Sequence, residues 1–132
     1  PLKKCWLVIA TRAPGEVLLQ KRPDSGIWGG LWAPPEFDHA AGATEWLAAT
    51  LSLPPDACRV EAAFHHTFTH FKLEAHSVRA HLEANRALWN RVECAAGNLK
   101  WFSLHPPPSV GLPAPIVRLL AKLSAETPLR SD

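Results

Sequence analysis

A chain of 132 residues with a formal net charge of +2 is long enough for one hydrophobic core and too short for two ordinary domains. Hydrophobic residues make up 47% of it and charged residues 20%, with six Trp and five Phe, which excludes a disordered tail. The small positive charge permits contact with a polyanion but does not by itself indicate a nucleic-acid binder. Composition therefore predicts one compact domain and leaves its partner open.

The cysteines and the hydropathy indicate where the protein works. Cys5, Cys58 and Cys94 are widely spaced and form no CxxC pair, which indicates neither a disulfide framework nor a zinc or iron–sulfur site. A reducing cytoplasm fits this pattern. No apolar run approaches the ~18 residues that a membrane-spanning helix needs, and no segment resembles a secretory leader. We therefore expect a cytoplasmic protein without a membrane partner.

The first half of the chain predicts a β-hairpin followed by a helix. Two apolar runs flank a turn that contains Pro and Gly, and the three segments are Lys4 to Ala10, Ala13 to Gly15 and Val17 to Lys21. A short strand should then lead to a helix over Thr44 to Leu51, ended by Pro54 and Pro55. The apolar residues of that helix recur three to four positions apart and should form its buried face: Ala43, Trp46, Leu47 and Leu51.

The second half predicts three strands and a final helix. The strand candidates are Arg59 to Phe64, Phe71 to His81 and Lys100 to Leu104. Pro115 suits the first turn of the last helix, where its missing N–H costs nothing. The buried stripe of that helix should consist of Ile116, Leu119, Leu120 and Leu123. Residues 83–98 are expected to form a long loop.

Three segments in chain order resemble the C-terminal domain of MutY-type adenine DNA glycosylases, a Nudix-like domain. They are VLLQKRPDSGIWGGLWAPPEF from Val17 to Phe37, FHHTFTHFKL from Phe64 to Leu73, and the Trp-, Pro- and Leu-containing stretch from Leu99 to Leu123. One segment alone would be weak, because Gly/Trp loops are common, but three in order are fairly specific. The resemblance implies an α+β fold, a Nudix-like α/β/α sandwich with a mixed sheet, in one domain over residues 1–132.

The helix after the first segment is poor in carboxylates. Nudix hydrolases hold divalent metal on this helix through several Glu side chains, because Mg²⁺ requires hard oxygen ligands. Here the helix region offers Glu45, with Glu36 and Asp38 before it. We therefore predict no catalytic residue and no metal site in this chain.

The glycine-rich turn of the first segment has two interpretations. Its glycines are Gly26, Gly29 and Gly30. Their spacing fits neither the P-loop nor the dinucleotide fingerprint, so a tight turn packed on Trp28 and Trp32 is favoured over a phosphate cradle. Lys21 and Arg22, just before the turn, are candidate contacts to a DNA backbone or else a solvated strand end.

The second segment carries the candidate recognition residues. In the glycosylase family the matching Phe-Ser-His portion is a loop that inspects 8-oxoguanine, and by resemblance it corresponds to Phe68, Thr69 and His70. Oxidation turns N7 of guanine into an N–H donor and adds a C8 carbonyl, so a hydroxyl and a backbone amide can detect the lesion by hydrogen bonding. Thr69 keeps the hydroxyl of the family's Ser and adds a methyl. Phe68 either wedges beside bases or packs in the core, and His70 either donates to a phosphate or lies on the surface.

The histidines of this segment also invite a zinc interpretation. His65 and His66 are adjacent, however, and adjacent strand residues point to opposite faces of a sheet. His70 is the third, and no fourth ligand follows at a suitable spacing. We predict no zinc site.

The resemblance implies a module of DNA base-excision repair. Enzymes of the family flip out and remove adenine mispaired with 8-oxoguanine, and their acid–base groups and iron–sulfur cluster lie in a separate N-terminal domain. We expect this chain to be a fragment of such a glycosylase, non-catalytic, monomeric and without a cofactor of its own. Its partners would be that N-terminal domain and duplex DNA containing 8-oxoguanine opposite adenine, in a bacterial cytoplasm.

Two other function classes stay open. One is a metal-dependent Nudix hydrolase of oxidised nucleoside triphosphates, with carboxylates drawn from elsewhere in the chain: Glu61, Glu74, Glu83 and Glu93. The other is a non-catalytic protein-interaction module, because Pro106 to Pro108, Pro113 and Pro115 can present a polyproline face. Magnesium-dependent turnover would identify the first, and binding of a protein with indifference to DNA would identify the second.

Overall fold

The structure is a computed structural model that describes residues 1–13, 15–82 and 98–126. Its strands and helices, in chain order, are β1 (Leu2–Arg12), β2 (Glu16–Lys21), β3 (Trp32–Ala33), β4 (Glu36–Phe37), α1 (Ala40–Leu51), a short 3-10 helix (Pro55–Ala57), β5 (Cys58–Val60), β6 (Phe64–Thr67), β7 (Lys72–Leu82), β8 (Leu99–Ser103) and α2 (Ala114–Glu126). They fall into two compact units, one of Pro1–Ala10 with Pro35–His81 and the other of Thr11–Pro34 with Leu82–Asp132.

The first unit is built on β1 and β7. Within it β1 pairs antiparallel with β4, where Trp6 lies opposite Phe37, and it also pairs with β7. The side chains from Leu7 to Ala10 are all buried, because β1 is covered on both faces there. β7 pairs antiparallel with β5 and with β6. This pairing places the β6–β7 connection, which contains the candidate recognition residues, at the end of a hairpin.

Helix α1 confirms the predicted helix but begins at Ala40, four residues earlier than expected. Ala43, Leu47 and Leu51 are buried as predicted, whereas Trp46 is half-buried and packs against Phe37 with ring centroids 5.8 Å apart. The helix ends because Ser52 adopts a left-handed conformation with φ 57°, and its N–H donates to the Leu47 carbonyl. The chain has therefore left the helix before it reaches Pro54.

The predicted strand over Arg59 to Phe64 is wrong, because this segment forms two strands. Residues 58–60 form β5 and residues 64–67 form β6, with an interruption at 61–63. From Val60 to Phe64 the chain advances four residues, whereas the partner positions on β7 advance three, from Val78 to Ala75. One extra residue therefore bulges out of the ladder. The bulge lies where the alternation of buried and less buried residues along β7 is interrupted, since the consecutive residues Ser77 and Val78 are both buried.

The second unit centres on β2. Thr11 and Arg12 at the end of β1 pair with Val17 and Glu16, which confirms the predicted hairpin, although Pro14 of its turn lies outside the described residues. β2 also pairs antiparallel with β3 and β8, and β8 begins one residue earlier than predicted, at Leu99. The side chains of Val17, Leu18 and Leu19 are fully buried.

The last helix also confirms its prediction. Pro115 is the second residue of α2, and the buried stripe contains Ile116, Leu120 and Leu123. Leu119, which was expected on the same stripe, is half-buried. The predicted 83–98 loop lies outside the described residues except for Asn98, whose carbonyl accepts the N–H of Lys21 at 2.8 Å. Neither α1 nor α2 is long and apolar enough to cross a membrane, and the same holds for every helix in the described segments.

Candidate nucleic-acid interface

The predicted recognition residues occupy the tip of the β6–β7 hairpin. The last paired residues are Thr67 and Lys72, and beyond them the N–H of Phe68 donates to the carbonyl of Phe71 at 2.8 Å. Thr69 and His70 are thereby left as the two central residues of the turn, and both are exposed. We call residues 68–71 the hairpin tip. It presents a hydroxyl and an imidazole to solvent.

An aromatic cluster supports this tip. The half-buried ring of Phe68 stacks on Phe71 with centroids 4.6 Å apart and an interplanar angle of 18°. The ring of His66 meets Phe68 edge to face, also at 4.6 Å, with an angle of 83°. The ammonium of Lys3 lies 4.7 Å from the centre of the Phe71 ring, which is the geometry of a cation–π contact. Phe68 is thus not a core residue, because its half-buried ring lies at the surface between two neighbours. Its insertion beside bases stays a prediction.

The charges near the tip suit an anionic partner. Lys3 and Lys72 are both exposed, and both lie next to the aromatic rings of the cluster. The start of the chain is tied to the hairpin, since the Lys72 N–H donates to the Pro1 carbonyl at 3.0 Å. Lysines beside stacked aromatic rings are the combination that binds phosphates and bases together.

The adjacent histidines of β6 diverge, as predicted. His66 joins the aromatic cluster, whereas Nε2 of His65 lies 3.2 Å from Oε1 of Glu74 on β7. Oε2 of the same carboxylate lies 2.8 Å from Nε2 of His76 and 3.9 Å from the Lys4 ammonium. Hydrogen bonds from His76 and then His65 lower the pKa of the Glu74 carboxyl. In the described segments, no three His, Cys, Asp or Glu side chains are arranged to hold a metal ion.

The Gly/Trp loop, residues 23–31 of the second unit, bonds mainly to itself. The N–H of Gly30 donates to Pro23 at 2.9 Å and that of Leu31 to Trp28 at 3.0 Å. A Cβ at Gly29 would collide with the Asp24 carbonyl oxygen. Because these amides are engaged within the loop, the geometry supports the tight turn over the phosphate cradle. After the loop, Trp32 packs edge-on against Phe102, with ring centroids 5.1 Å apart.

The two candidate DNA-backbone contacts differ in their surroundings. Lys21 is exposed at the end of β2. Arg22 is half-buried, and its Nε donates to the Ile27 carbonyl at 3.4 Å, so this side chain helps to hold the Gly/Trp loop. Both belong to the second unit, whereas the hairpin tip belongs to the first. Their contact with DNA stays a prediction.

Helix α1 carries little of the acidity that metal-dependent hydrolysis requires. Glu45 is its single carboxylate and is exposed, and its first turn contains no acidic residue. Glu36 lies on β4, and Asp38 is exposed between β4 and the helix. One carboxylate on a helix does not form the oxygen cluster that Mg²⁺ needs.

Sequence reasoning missed Lys3 and Phe71 as parts of this site. Phe71 was interpreted as the first residue of a strand, and Lys3 precedes the first apolar run. The contact between them joins residues far apart in the chain, so no local periodicity reveals it. The one available signal was the recurrence of Phe at positions 68 and 71, on either side of the turn.

Comparison with known proteins gives a matching family, related curated proteins and solved structures of similar fold. Residues 5–122 match the family described as NUDIX domain. The adenine DNA glycosylase of Buchnera aphidicola subsp. Schizaphis graminum is 24% identical over 119 residues, which are 89% of this chain and 33% of that protein. The chain thus spans about a third of the length of the curated relatives it matches.

Solved structures share the fold. The C-terminal domain of mouse MUTYH, solved in complex with human PCNA, superimposes with a TM-score of 0.60 at 14% identity, over 98% of this chain and 93% of that one. The Nudix hydrolase RenU of M. smegmatis gives a TM-score of 0.60 at 18% identity, over 98% and 91%. The mixed sheet and the two α-helices of the described residues agree with these neighbours, which confirms the predicted α+β Nudix fold. Because the family match covers most of its residues, the chain belongs to the Nudix domain family.

Proposed function

We propose that this Nudix domain recognises 8-oxoguanine opposite adenine in duplex DNA. Excision of the mispaired adenine would be carried out by a glycosylase domain joined to it. The observation that carries the proposal is the hairpin tip, where the exposed Thr69 stands between Phe68 and His70 on an aromatic and basic support. The similarity to adenine DNA glycosylases supports the same assignment.

The chemistry of the tip suits the lesion. A threonine hydroxyl both donates and accepts, so it can pair with the N7–H or the C8 carbonyl that distinguishes 8-oxoguanine from guanine. Exposure leaves this hydroxyl accessible to a base, and the exposed Lys3 and Lys72 can neutralise nearby phosphates. The recognition domain needs no nucleophile or metal of its own, because the glycosylase domain would supply the catalytic groups.

The competing function is metal-dependent hydrolysis of an oxidised nucleoside triphosphate. The fold similarity to RenU favours it, since that protein is a Nudix hydrolase. The single exposed carboxylate of α1 weighs against it. Incubation of the chain with an oxidised nucleoside triphosphate and Mg²⁺ separates the two functions, because metal-dependent turnover would establish the hydrolase.

The test of recognition is Thr69→Ala in the chain joined to a MutY-type catalytic domain. Loss of one hydrogen bond of about 1 kcal/mol should reduce the preference for adenine opposite 8-oxoguanine over adenine opposite guanine by about fivefold. Single-turnover excision rates on the two duplexes measure this ratio. Thr69→Ser, which keeps the hydroxyl, should retain the preference.

Thr67→Ala is the matched control, because Thr67 is an exposed threonine two residues earlier on β6. It should leave the ratio unchanged. A Thr69→Ala variant with the ratio of the unmodified protein would contradict the recognition role of the tip.

A further inference from the structure

We propose that Phe71 is the positioning residue of the hairpin tip, and that it orients Thr69 by holding the ring of Phe68. This inference rests on the proposed function, because it names what sets the geometry of the same recognition site. Phe68 and Phe71 bracket the two exposed residues of the turn and are joined through both backbone and side chain: the Phe68 N–H donates to the Phe71 carbonyl, and the two rings stack.

The stack restrains the tip because it acts on both of its ends. Thr69 and His70 are exposed, so little packing limits their motion from the outside. The rings of Phe68 and Phe71 are 4.6 Å apart and tilted by only 18°. The stack therefore couples the positions of the two residues that flank Thr69 and His70. A hydroxyl that must detect a single proton on a base needs such an orientation, since hydrogen bonds weaken steeply with misalignment.

Lys3 holds the ring of Phe71, one of the two stacked rings. Its ammonium lies 4.7 Å from the centre of the Phe71 ring, and the adjoining segment is anchored where the Lys72 N–H donates to the Pro1 carbonyl. At the other end of the stack, the ring of His66 meets the ring of Phe68 edge to face. A continuous series of contacts therefore runs from Lys3 through the rings of Phe71 and Phe68 to His66. An aliphatic side chain at position 71 keeps the burial but offers no ring face to either neighbour.

The experiment compares variants of the 132-residue chain by NMR titration with two short duplexes, one with 8-oxoguanine opposite adenine and one with guanine there. Phe71→Leu should reduce the affinity ratio between the duplexes by about twofold to tenfold, the range that one aromatic pair contributes. It should also shift the Thr69 amide and abolish the upfield ring-current shift of the Lys3 side-chain protons. Phe71→Tyr retains the stack and should keep the ratio near that of the unmodified chain.

Phe64→Leu is the matched control, because Phe64 lies at the other end of β6 and its replacement leaves the stack in place. It should keep the ratio. Should Phe71→Leu fail to fold, Phe71→Tyr must still keep the ratio and Lys3→Gln must lower it, and the opposite result in either variant overturns the positioning role.

Thr69→Ala separates the two proposals. If Thr69→Ala lowers the ratio and a folded Phe71→Leu does not, Phe71 is a packing residue, and recognition by the tip stands. If Thr69→Ala and Phe71→Leu both leave the ratio unchanged, or if the unmodified chain shows no preference between the duplexes, recognition by the tip and its positioning by Phe71 are both overturned.

Discussion

The Gly/Trp loop and the hairpin tip are both short turns, but they direct their polar groups differently. In the loop, the amides of Gly30 and Leu31 donate to carbonyls of the loop itself. At the tip, the two central residues, Thr69 and His70, are exposed. Backbone hydrogen bonds and the close approach at Gly29 make the loop a structural turn, whereas the tip is closed by one backbone hydrogen bond and presents the side chains of Thr69 and His70 to a ligand.

This difference separates stability from recognition. A substitution at a closely packed loop position such as Gly29 should lower the free energy of unfolding without a change in lesion preference, because it disturbs the backbone hydrogen bonds that hold the loop. Substitutions at the exposed tip should do the reverse. The aromatic cluster of His66, Phe68 and Phe71 lies between these limits, since its rings are half-buried and also flank Thr69 and His70.

The largest effect on stability is expected from Gly29→Ala. Its Cβ would collide with the Asp24 carbonyl oxygen, a backbone atom that cannot move without distorting the loop. We expect a loss of about 3 kcal/mol in the free energy of unfolding, at the upper end for overpacking, as measured by urea denaturation. Gly26→Ala is the control, because Gly26 has φ +90° but open space around its Cβ position. It should cost about 1 to 2 kcal/mol from backbone conformation alone. Equal losses in the two variants would contradict the close approach at Gly29.

A smaller loss is expected from Phe68→Leu. The substitution keeps an apolar side chain but removes the stack on Phe71 and the edge contact from His66, worth about 1 kcal/mol together. It should lower both the free energy of unfolding and the preference for 8-oxoguanine, unlike any loop variant. The two measurements are urea denaturation and the affinity ratio for the two duplexes. A change in stability alone would place Phe68 with the structural residues of the loop.

Elements set by local pattern could be predicted from the sequence. The β1–β2 hairpin follows from two apolar runs around a Pro/Gly turn, and the buried faces of α1 and α2 follow from three- and four-residue spacing. The beginning of α1 was missed because residues 40–42 are Ala, Ala and Gly, which give no hydrophobic period. Trp46 was assigned to the core although its large ring remains partly at the surface, against Phe37.

Features set by contacts distant in sequence could not be predicted. The bulge between β5 and β6 depends on where each strand pairs with β7, and no residue between Val60 and Phe64 is Gly or Pro to mark it. Thr69 was identified by resemblance to a family motif. The support of Thr69 by Phe71 and Lys3 depends on the pairing of β1 with β7, which brings Lys3 beside the hairpin. Local sequence pattern carries no sign of that pairing.

The stability of the protein should depend on pH through Glu74, which contacts His65 and His76. Hydrogen bonds from His76 and His65 lower the pKa of Glu74 in the folded chain. A carboxyl whose pKa is lowered by folding stabilises the protein above its unfolded pKa of about 4.3, and this contribution is lost as the pH falls through the folded pKa. Glu74→Gln should therefore lower the urea midpoint at neutral pH and approach the unmodified chain in acid. Glu45→Gln, at an exposed position of α1, should show no such convergence. A pH-independent difference for Glu74→Gln would contradict the stabilisation of the Glu74 carboxylate by hydrogen bonds from His76 and His65.

The smallest effect on stability is expected from Thr69→Ala. Because Thr69 is exposed at the tip, removal of its hydroxyl and methyl should change the free energy of unfolding by no more than about 0.5 kcal/mol. Thr11→Ala removes the same atoms from a side chain that is only 5% exposed, and it should cost about 1 to 2 kcal/mol in the same urea titration. If Thr69→Ala destabilised the chain as much as Thr11→Ala, the tip would be a structural turn like the Gly/Trp loop, and a loss of lesion preference in that variant would reflect unfolding and not recognition.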